Sequence, residues 1–205
     1  MTQFLKALSI VLNPLIMPTT VFAVIIYMAP EAASPLNLDQ SFDILLLLGL
    51  TTFFIPLLSL GFLKLSSSIK NFELESRKER IMPFLFMTLF YGLTAYMFIF
   101  KIRVNDFLTV ILISISVLVL SIAIITFYIK VCVHSTAIAA VVGFTLGIIV
   151  RMPSASLIYP LIGGIILLGA IMSARLSLNV QTPAEVAIGS GLGFIFGLAP
   201  ILIFT

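Results

Sequence analysis

Thiols and charges are scarce in this sequence. Only 9% of the 205 residues are charged, 61% are hydrophobic, and Cys132 is the single cysteine. One cysteine excludes an intrachain disulfide and a thiolate metal cluster. So few charges cannot cover the surface of a water-soluble domain, because a folded surface needs far more polar side chains. The composition therefore indicates a chain embedded in a bilayer.

The sequence also lacks ionisable residues deep within its apolar runs and basic patches rich in aromatic side chains, and these absences exclude several functional classes. The net charge is +3, but no basic patch interleaved with aromatic side chains is present, so nucleic acid is excluded as a partner. No ionisable residue lies deep within an apolar run, which argues against an ion channel, a pump or a proton-coupled transporter. No cofactor and no metal site are predicted.

Long apolar runs fill most of the chain. Each is close to the ~20 residues that a spanning helix needs. The first exceeds the ~7–15 residues of a signal-peptide core, so we interpret it as a retained helix, kinked at Pro14 and Pro18. The prediction is an all-α polytopic bundle of about six to seven spanning helices, forming one integral membrane domain over residues 1–205. The runs are Leu5–Met28, Ile44–Leu65, Ile81–Phe100, Phe107–Tyr128, Ser135–Val150, Ser156–Ser173 and Val186–Phe204.

Basic residues favour one membrane face. Seven crossings place the second, fourth and sixth loops on the same side as the first residues, and most of the lysines and arginines fall there. The positive-inside rule makes this side cytoplasmic, and we expect a protein of the bacterial inner (cytoplasmic) membrane. If five of these cations are held for a binding site, three basic residues remain on this face. The other face also has three, so the bias that assigns the orientation disappears. The favoured side carries Lys6, Lys64, Lys70, Arg77, Lys78, Arg80, Lys130 and Arg175, and the other Lys101, Arg103 and Arg151.

Three polar clusters lie in those same-side loops, at Phe72–Arg80, Lys130–Thr136 and Ala174–Glu185. Loops on one face can converge, whereas loops on opposite faces cannot. The first cluster ends in Lys78 and Arg80, which either form a solvated loop or reach the interface and hold a phosphate.

The other two clusters carry further candidate side chains. His134, the single histidine, is either an interfacial polar residue or a proton donor near a helix start that Ser135 and Thr136 cap. Arg175 has no acidic partner nearby in sequence, which is typical of an arginine that meets a lipid headgroup or phosphate. The segment Thr182-Pro-Ala-Glu185 has the form of a capping box that starts the last helix.

In this order and on one face, the clusters resemble the type-2 phosphatidic acid phosphatase superfamily. These integral-membrane enzymes remove phosphate from lipid phosphates. Their motifs are Lys/Arg–Pro, then Pro-Ser-Gly-His, then Ser-Arg followed by five residues, His, three residues and Asp. Arg80-Ile-Met-Pro83 and Val131-Cys-Val-His134 are similar to the first two motifs, and Ala174-Arg175 with Gln181 and Glu185 fits the spacing of the third. Motifs match in the second half of the chain, and the first half is similar only in hydropathy.

The resemblance implies roles for individual residues. His134 stands at the position of the acid, Gln181 at the nucleophile position and Glu185 at the position of the orienting acid. Lys78, Arg80 and Arg175 are implied to bind the substrate phosphate.

Gln181 departs from the family at the position that matters most. A carboxamide is a poor nucleophile because its nitrogen lone pair is delocalised, and losing such a residue removes about 10⁴–10⁶ of the rate. We therefore expect a phosphatidic acid phosphatase type-2-like fold that is catalytically impaired and binds a phosphorylated lipid or acts as a scaffold. The alternatives are an active phosphatase of lipid phosphates or polyprenyl diphosphates, acting through Cys132 or water, and a small structural subunit of a membrane complex.

Glycines recur at helical spacing in two runs. Gly189, Gly193 and Gly197 lie in the last run, and Gly143 and Gly147 in the fifth. Such spacing lets helices approach closely in lipid. Internal packing is the first hypothesis, and an interface with a membrane-protein partner or a second copy is the alternative. The remaining predicted partners are membrane lipids.

Overall fold

The computed structural model describes residues 2–34, 38–66, 76–153 and 155–204, and the regular elements in these ranges are helices. Short 3-10 segments at Pro14–Ile16 and Ala155–Leu157 and π-helical segments at Leu50–Phe54 and Met97–Ile102 join some of them. The α-helices are α1 Thr2–Val11, α2 Met17–Met28, α3 Pro30–Ala33, α4 Leu38–Gly49, α5 Ile55–Leu65, α6 Arg77–Tyr96, α7 Asp106–Thr126, α8 Val133–Arg151, α9 Ile158–Ser177 and α10 Pro183–Phe204.

Seven stretches of helix are long and apolar enough to cross a membrane, and each overlaps one predicted run. The predicted helical fold is thus confirmed for the described residues, the seven candidate spans agree with the predicted number, and the chain is an integral membrane protein. The spans are Ala7–Met28, Gln40–Leu65, Glu79–Ile102, Asp106–Thr126, Val133–Arg151, Ile158–Ser177 and Pro183–Phe204.

The first span is broken in one place rather than two. Helix α1 ends at Val11, and the Asn13 side chain caps the short 3-10 turn by accepting from Leu15 N at 3.0 Å. The break predicted at Pro14 is therefore confirmed. Pro18 lies in the first turn of α2, where a proline removes no helical hydrogen bond, so the kink predicted there is wrong.

Helices α8 and α10 pack more closely than any other pair in the described structure. A Cβ added to Gly193 would collide with the Thr136 carbonyl, and one added to Gly189 would lie 2.7 Å from the Cys132 carbonyl oxygen. On the facing helix, a Cβ at Gly143 would lie 2.6 Å from the Phe194 carbonyl oxygen. The hypothesis that these glycines pack within the chain is confirmed.

Polar contacts gather at the two ends of the bundle. At one end Arg80 Nη1 donates to the Val131 carbonyl at 2.9 Å, and Cys132 N donates to the Glu185 carbonyl at 3.1 Å. At the other end Asn105 Nδ2 donates to the Ala32 carbonyl at 2.8 Å. The starts of α6, α8 and α10 therefore lie at the same end, as the loop count predicts.

Candidate functional site

The guanidinium of Arg80 lies inside the protein, close to the end of the bundle where α6, α8 and α10 begin. The residue is only 4% exposed. Besides its bond to the Val131 carbonyl, its Nη2 lies 3.2 Å from the amide of Gln181, which is also buried. A buried arginine with this many contacts is a fixed positive charge, since arginine stays protonated in proteins.

Gln181 joins Arg80 to Glu185. With the amide oxygen turned toward Arg80, the amide nitrogen donates to Glu185 Oε2 at 2.5 Å. The neighbours require this orientation, because a guanidinium can only donate and a carboxylate can only accept. The residue at the position implied for the nucleophile is therefore held from both sides.

The start of α10 forms the predicted capping box. Glu185 Oε2 accepts from Thr182 N at 3.1 Å, and Glu185 N donates to Thr182 Oγ1 at 3.3 Å. Helix α10 then begins at Pro183, so the prediction is confirmed. The Glu185 carboxylate thus has two tasks, because it caps the helix and also accepts from Gln181.

The start of α8 differs from the prediction. The helix begins at Val133, with Cys132 at the cap position and no side-chain cap. Ser135 Oγ and Thr136 Oγ1 lie inside the helix and donate to the Cys132 carbonyl at 3.0 and 2.9 Å. Their prediction as caps is wrong because hydroxyls in the first turn reach back to a carbonyl instead of forward to an amide. The Ser135 hydroxyl also lies 3.2 Å from the Val186 carbonyl and so contacts α10.

His134 contacts a residue that sequence reasoning missed. Its Nε2 lies 3.1 Å from the carbonyl oxygen of Ser9, in the last turn of α1. Because a carbonyl only accepts, Nε2 carries the hydrogen of this bond. The signal available in the sequence is Asn13-Pro14, which ends α1 and leaves the last carbonyls without the partners of a continuing helix.

Arg175 completes the group. It lies in the last turn of α9, half-buried, and its buried Nε has no hydrogen-bond partner in the part of the chain that is described. Arg175 lies close enough to His134 and Arg80 to interact with both electrostatically. Arg80, His134, Arg175, Gln181 and Glu185 therefore lie at one end of the bundle, within range of one another's charges or hydrogen bonds, and we call these five residues the cationic cluster.

One predicted site residue falls outside what the structure describes. The backbone of Lys78 belongs to α6, but its side chain lies outside the described residues, as do residues 72–75 of the same loop cluster. Two other basic side chains border the cluster through backbone contacts. Lys130 Nζ donates to the Val180 carbonyl at 3.1 Å, and Arg77 donates to the Tyr128 carbonyl.

An apolar cavity lies beside the cationic cluster, between α2, α6, α7 and α8. Its volume is about 70 Å³. It begins at Val133, Thr136 and Ala137, in the first turns of α8 next to His134, and reaches Pro14 and Pro18. A hydrocarbon group suits such a lining better than a polar one, because apolar cavities stay dry.

Cys132 is fully buried at the start of α8. No group of three or more histidine, cysteine, aspartate or glutamate side chains lies together in a way that would hold a metal ion, within the residues described. Comparison with known proteins returns no family model, no curated sequence and no solved structure that matches this chain.

Proposed function

We propose that the chain is a divergent lipid-phosphatase-like membrane protein that binds a phosphorylated lipid without efficient hydrolysis. The observation that carries the proposal is the meeting of Arg80, His134 and Arg175, which are far apart in sequence, beside Gln181 at one end of the bundle. They lie near the ends of α6, α8 and α9, in the order of the motifs that they resemble, and Arg175, Gln181 and Glu185 have the spacing of the third motif.

The charge of the cationic cluster supports an anionic ligand. Among its five described residues, two guanidinium groups, those of Arg80 and Arg175, stand against one carboxylate, that of Glu185. An excess positive charge in a partly buried site is unfavourable unless an anion compensates it. A phosphate suits an arginine well, because its oxygens accept from the planar fork of donors.

The contacts of Gln181 support the loss of hydrolysis. A phosphoryl-transfer nucleophile needs an available lone pair, and the Gln181 amide is committed to Arg80 and Glu185. His134 is the one histidine of the chain, so a mechanism with two histidines is excluded. Cys132 is the remaining candidate nucleophile, and its complete burial argues against that role.

The apolar cavity supports a lipid as the source of the phosphate. It lies between spanning helices and adjoins the first turn of α8, so a hydrocarbon group within it lies next to the helix turn that carries His134. Burial of each methylene there contributes about 0.8 kcal/mol.

The finer proposal for location is the bacterial inner membrane with the cationic cluster on the cytoplasmic side. The bias of basic residues toward that side supports it.

The test is phosphate release from phosphatidic acid and a polyprenyl diphosphate by purified protein, together with binding of each lipid. We expect wild type to bind without releasing phosphate. Gln181→His should release phosphate, because Glu185 already accepts from this position and would orient an imidazole there. Gln181→Asn is the matched control and should stay silent, since its amide is no better a nucleophile.

Two results would contradict the proposal. Hydrolysis by wild type that His134→Ala abolishes would show an active phosphatase, and loss of that activity in Cys132→Ser would identify the cysteine as the nucleophile. Wild type that binds neither lipid, while remaining folded and monodisperse, would instead favour a structural subunit that retains only the fold.

A further inference from the structure

Helix α1 brings a serine to the edge of the cationic cluster. It packs against α9, the helix that carries Arg175 in its last turn. Ser9 lies in the last turn of α1, and its carbonyl meets His134 at 3.1 Å. The first helix of the chain therefore borders the same site as the loops that follow α5, α7 and α9.

Two polar atoms near this contact lack partners. Ser9 Oγ and Arg175 Nε are both buried, and neither makes a hydrogen bond within the described residues. The third such atom, Thr19 Oγ1, lies elsewhere, beside Gly49 of α4. Native proteins rarely leave buried polar atoms unpaired, so each one calls for an explanation, such as a ligand.

One kind of ligand satisfies both atoms. A serine hydroxyl and a guanidinium Nε are both donors, so the missing group is an acceptor. An anionic acceptor suits this place best, because the five residues of the cluster include two guanidinium groups and one carboxylate. A phosphoryl group fits, since its oxygens accept several hydrogen bonds at once.

We propose that Ser9 is a phosphoryl-binding residue and that α1 forms one wall of the anion site. Its hydroxyl donates to a phosphoryl oxygen that Arg175 holds through Nε. This inference rests on the proposed function and extends it to a part of the chain that none of the three motifs includes. The break between Val11 and Pro14 makes the arrangement feasible, because α1 is free to take a direction different from that of α2.

Ser9→Ala isolates the hydroxyl. The bond to His134 uses the backbone carbonyl of Ser9, so the substitution leaves that contact in place. Ser121→Ala is the matched control, because the Ser121 hydroxyl already donates to the Val117 carbonyl of its own helix at 2.8 Å. Thermal unfolding of both variants in detergent verifies that they fold.

Binding is measured for phosphatidic acid in phosphatidylcholine nanodiscs and, separately, for inorganic phosphate. We expect Ser9→Ala to weaken binding of phosphatidic acid about tenfold, as for a hydrogen bond to a charged group, and Ser121→Ala to match wild type. An equal loss for inorganic phosphate would show that the phosphoryl group alone is recognised. A loss for phosphatidic acid alone would show that the bilayer presents it to Ser9.

Arg175→Lys separates the two proposals, because it keeps the charge and removes the Nε donor. We expect the double variant with Ser9→Ala to lose less than the sum of the single losses, because both side chains bind one phosphoryl group. If wild type binds neither ligand, the proposed function fails. If wild type binds, Arg175→Lys weakens binding and Ser9→Ala equals Ser121→Ala for both ligands, only the role of Ser9 is wrong.

Discussion

At the scale of single residues, Gln181 is a neutral link between opposite charges. It accepts from Arg80 and donates to Glu185, so it connects a guanidinium to a carboxylate without a proton moving. A neutral histidine in the same place carries hydrogen on one ring nitrogen. That nitrogen would donate to one neighbour, and the other nitrogen would keep a reactive lone pair. The glutamine therefore links the two charges without supplying a nucleophilic nitrogen.

We expect that lysine cannot replace Arg80 without a loss of stability. Arg80→Lys keeps the charge but cannot donate in a planar fork to both the Val131 carbonyl and the Gln181 amide. We expect a loss of about 1.5–3 kcal/mol in the free energy of unfolding, since a hydrogen bond from a charged group is broken in a buried place. The measurement is thermal or denaturant unfolding in detergent.

Arg77→Lys is the control for that loss. Arg77 lies one turn earlier on α6, is exposed, and donates to the Tyr128 carbonyl. A surface contact of this kind contributes about 0–1 kcal/mol, so the substitution should change little. Equal stabilities for Arg80→Lys and Arg77→Lys would show that the buried bonds of Arg80 do not hold α6 to the loop before α8.

At the scale of elements, the α8–α10 pair depends on glycines that face backbone. Gly193 lies against the Thr136 carbonyl and Gly197 against that of Ala140. Helices in lipid gain no hydrophobic stabilisation from meeting each other, so close contact of this kind has to supply it. The same contact sets the starts of both helices side by side, where Cys132 N meets the Glu185 carbonyl.

Gly193→Ala and Gly191→Ala form a matched pair on α10. A methyl group at Gly193 would overlap the Thr136 backbone, whereas one at Gly191 would meet open space. We expect Gly193→Ala to destabilise the protein by about 1–3 kcal/mol and to weaken lipid binding. Gly191→Ala should be neutral or gain up to about 1 kcal/mol, because alanine favours a helix. The measurement is the unfolding midpoint of each variant in detergent, and equal midpoints would refute close packing of α10 on α8.

Local and periodic features of the sequence predict much of this architecture. Apolar length predicts the spans, Thr182-Pro-Ala-Glu185 predicts the start of α10, and glycine spacing predicts a close helix pair. The order of the loops predicts which clusters share a face. All of these depend on residues that are near one another in the chain or on simple counting.

Contacts between distant segments are what the sequence does not reveal. Asn13-Pro14 indicates that the last carbonyls of α1 need partners from outside the helix, but nothing near Ser9 identifies His134 as that partner, because the two lie 125 residues apart. The π-helical segment Leu50–Phe54 is also unpredicted. It lies where Tyr91 Oη donates to the Thr52 carbonyl at 3.1 Å, a bond between two spans. Tertiary packing determines both features, so local propensity carries no signal for them.

At the scale of the whole molecule, the polar contacts between distant segments form two separate belts, apart from the bonds that Tyr91 makes within the bundle. One holds the cationic cluster, and the other holds contacts such as Ser156 Oγ donating to the Met28 carbonyl at 2.6 Å. Between them the described surface is apolar and suits lipid tails. The excess of lysine and arginine on the side of the cationic cluster predicts that this side faces the cytoplasm.

Cysteine labelling in intact cells tests that orientation. Cys132→Ala supplies a background without other thiols, and Tyr128→Cys and Asp106→Cys place one thiol at an exposed position near each belt. A membrane-impermeant thiol reagent should label Asp106→Cys in intact cells and label Tyr128→Cys only after permeabilisation. The reverse pattern would place the cationic cluster on the outer side.

Chain order gives the α8–α10 pair a consequence for biogenesis. Ribosomes make α8 first and α9 next, and α9 buries little of its surface against the rest of the bundle. The partner that covers the backbone of α8 reaches the membrane only when Pro183–Phe204 has been synthesised and inserted. Until then the cluster lacks Gln181 and Glu185, so a nascent chain stalled before that point carries Arg80 and Arg175 without these two residues. Completion of the proposed ligand site and completion of translation through α10 are one event, and a membrane quality-control protease would encounter in the unfinished chain an α8 without its partner helix.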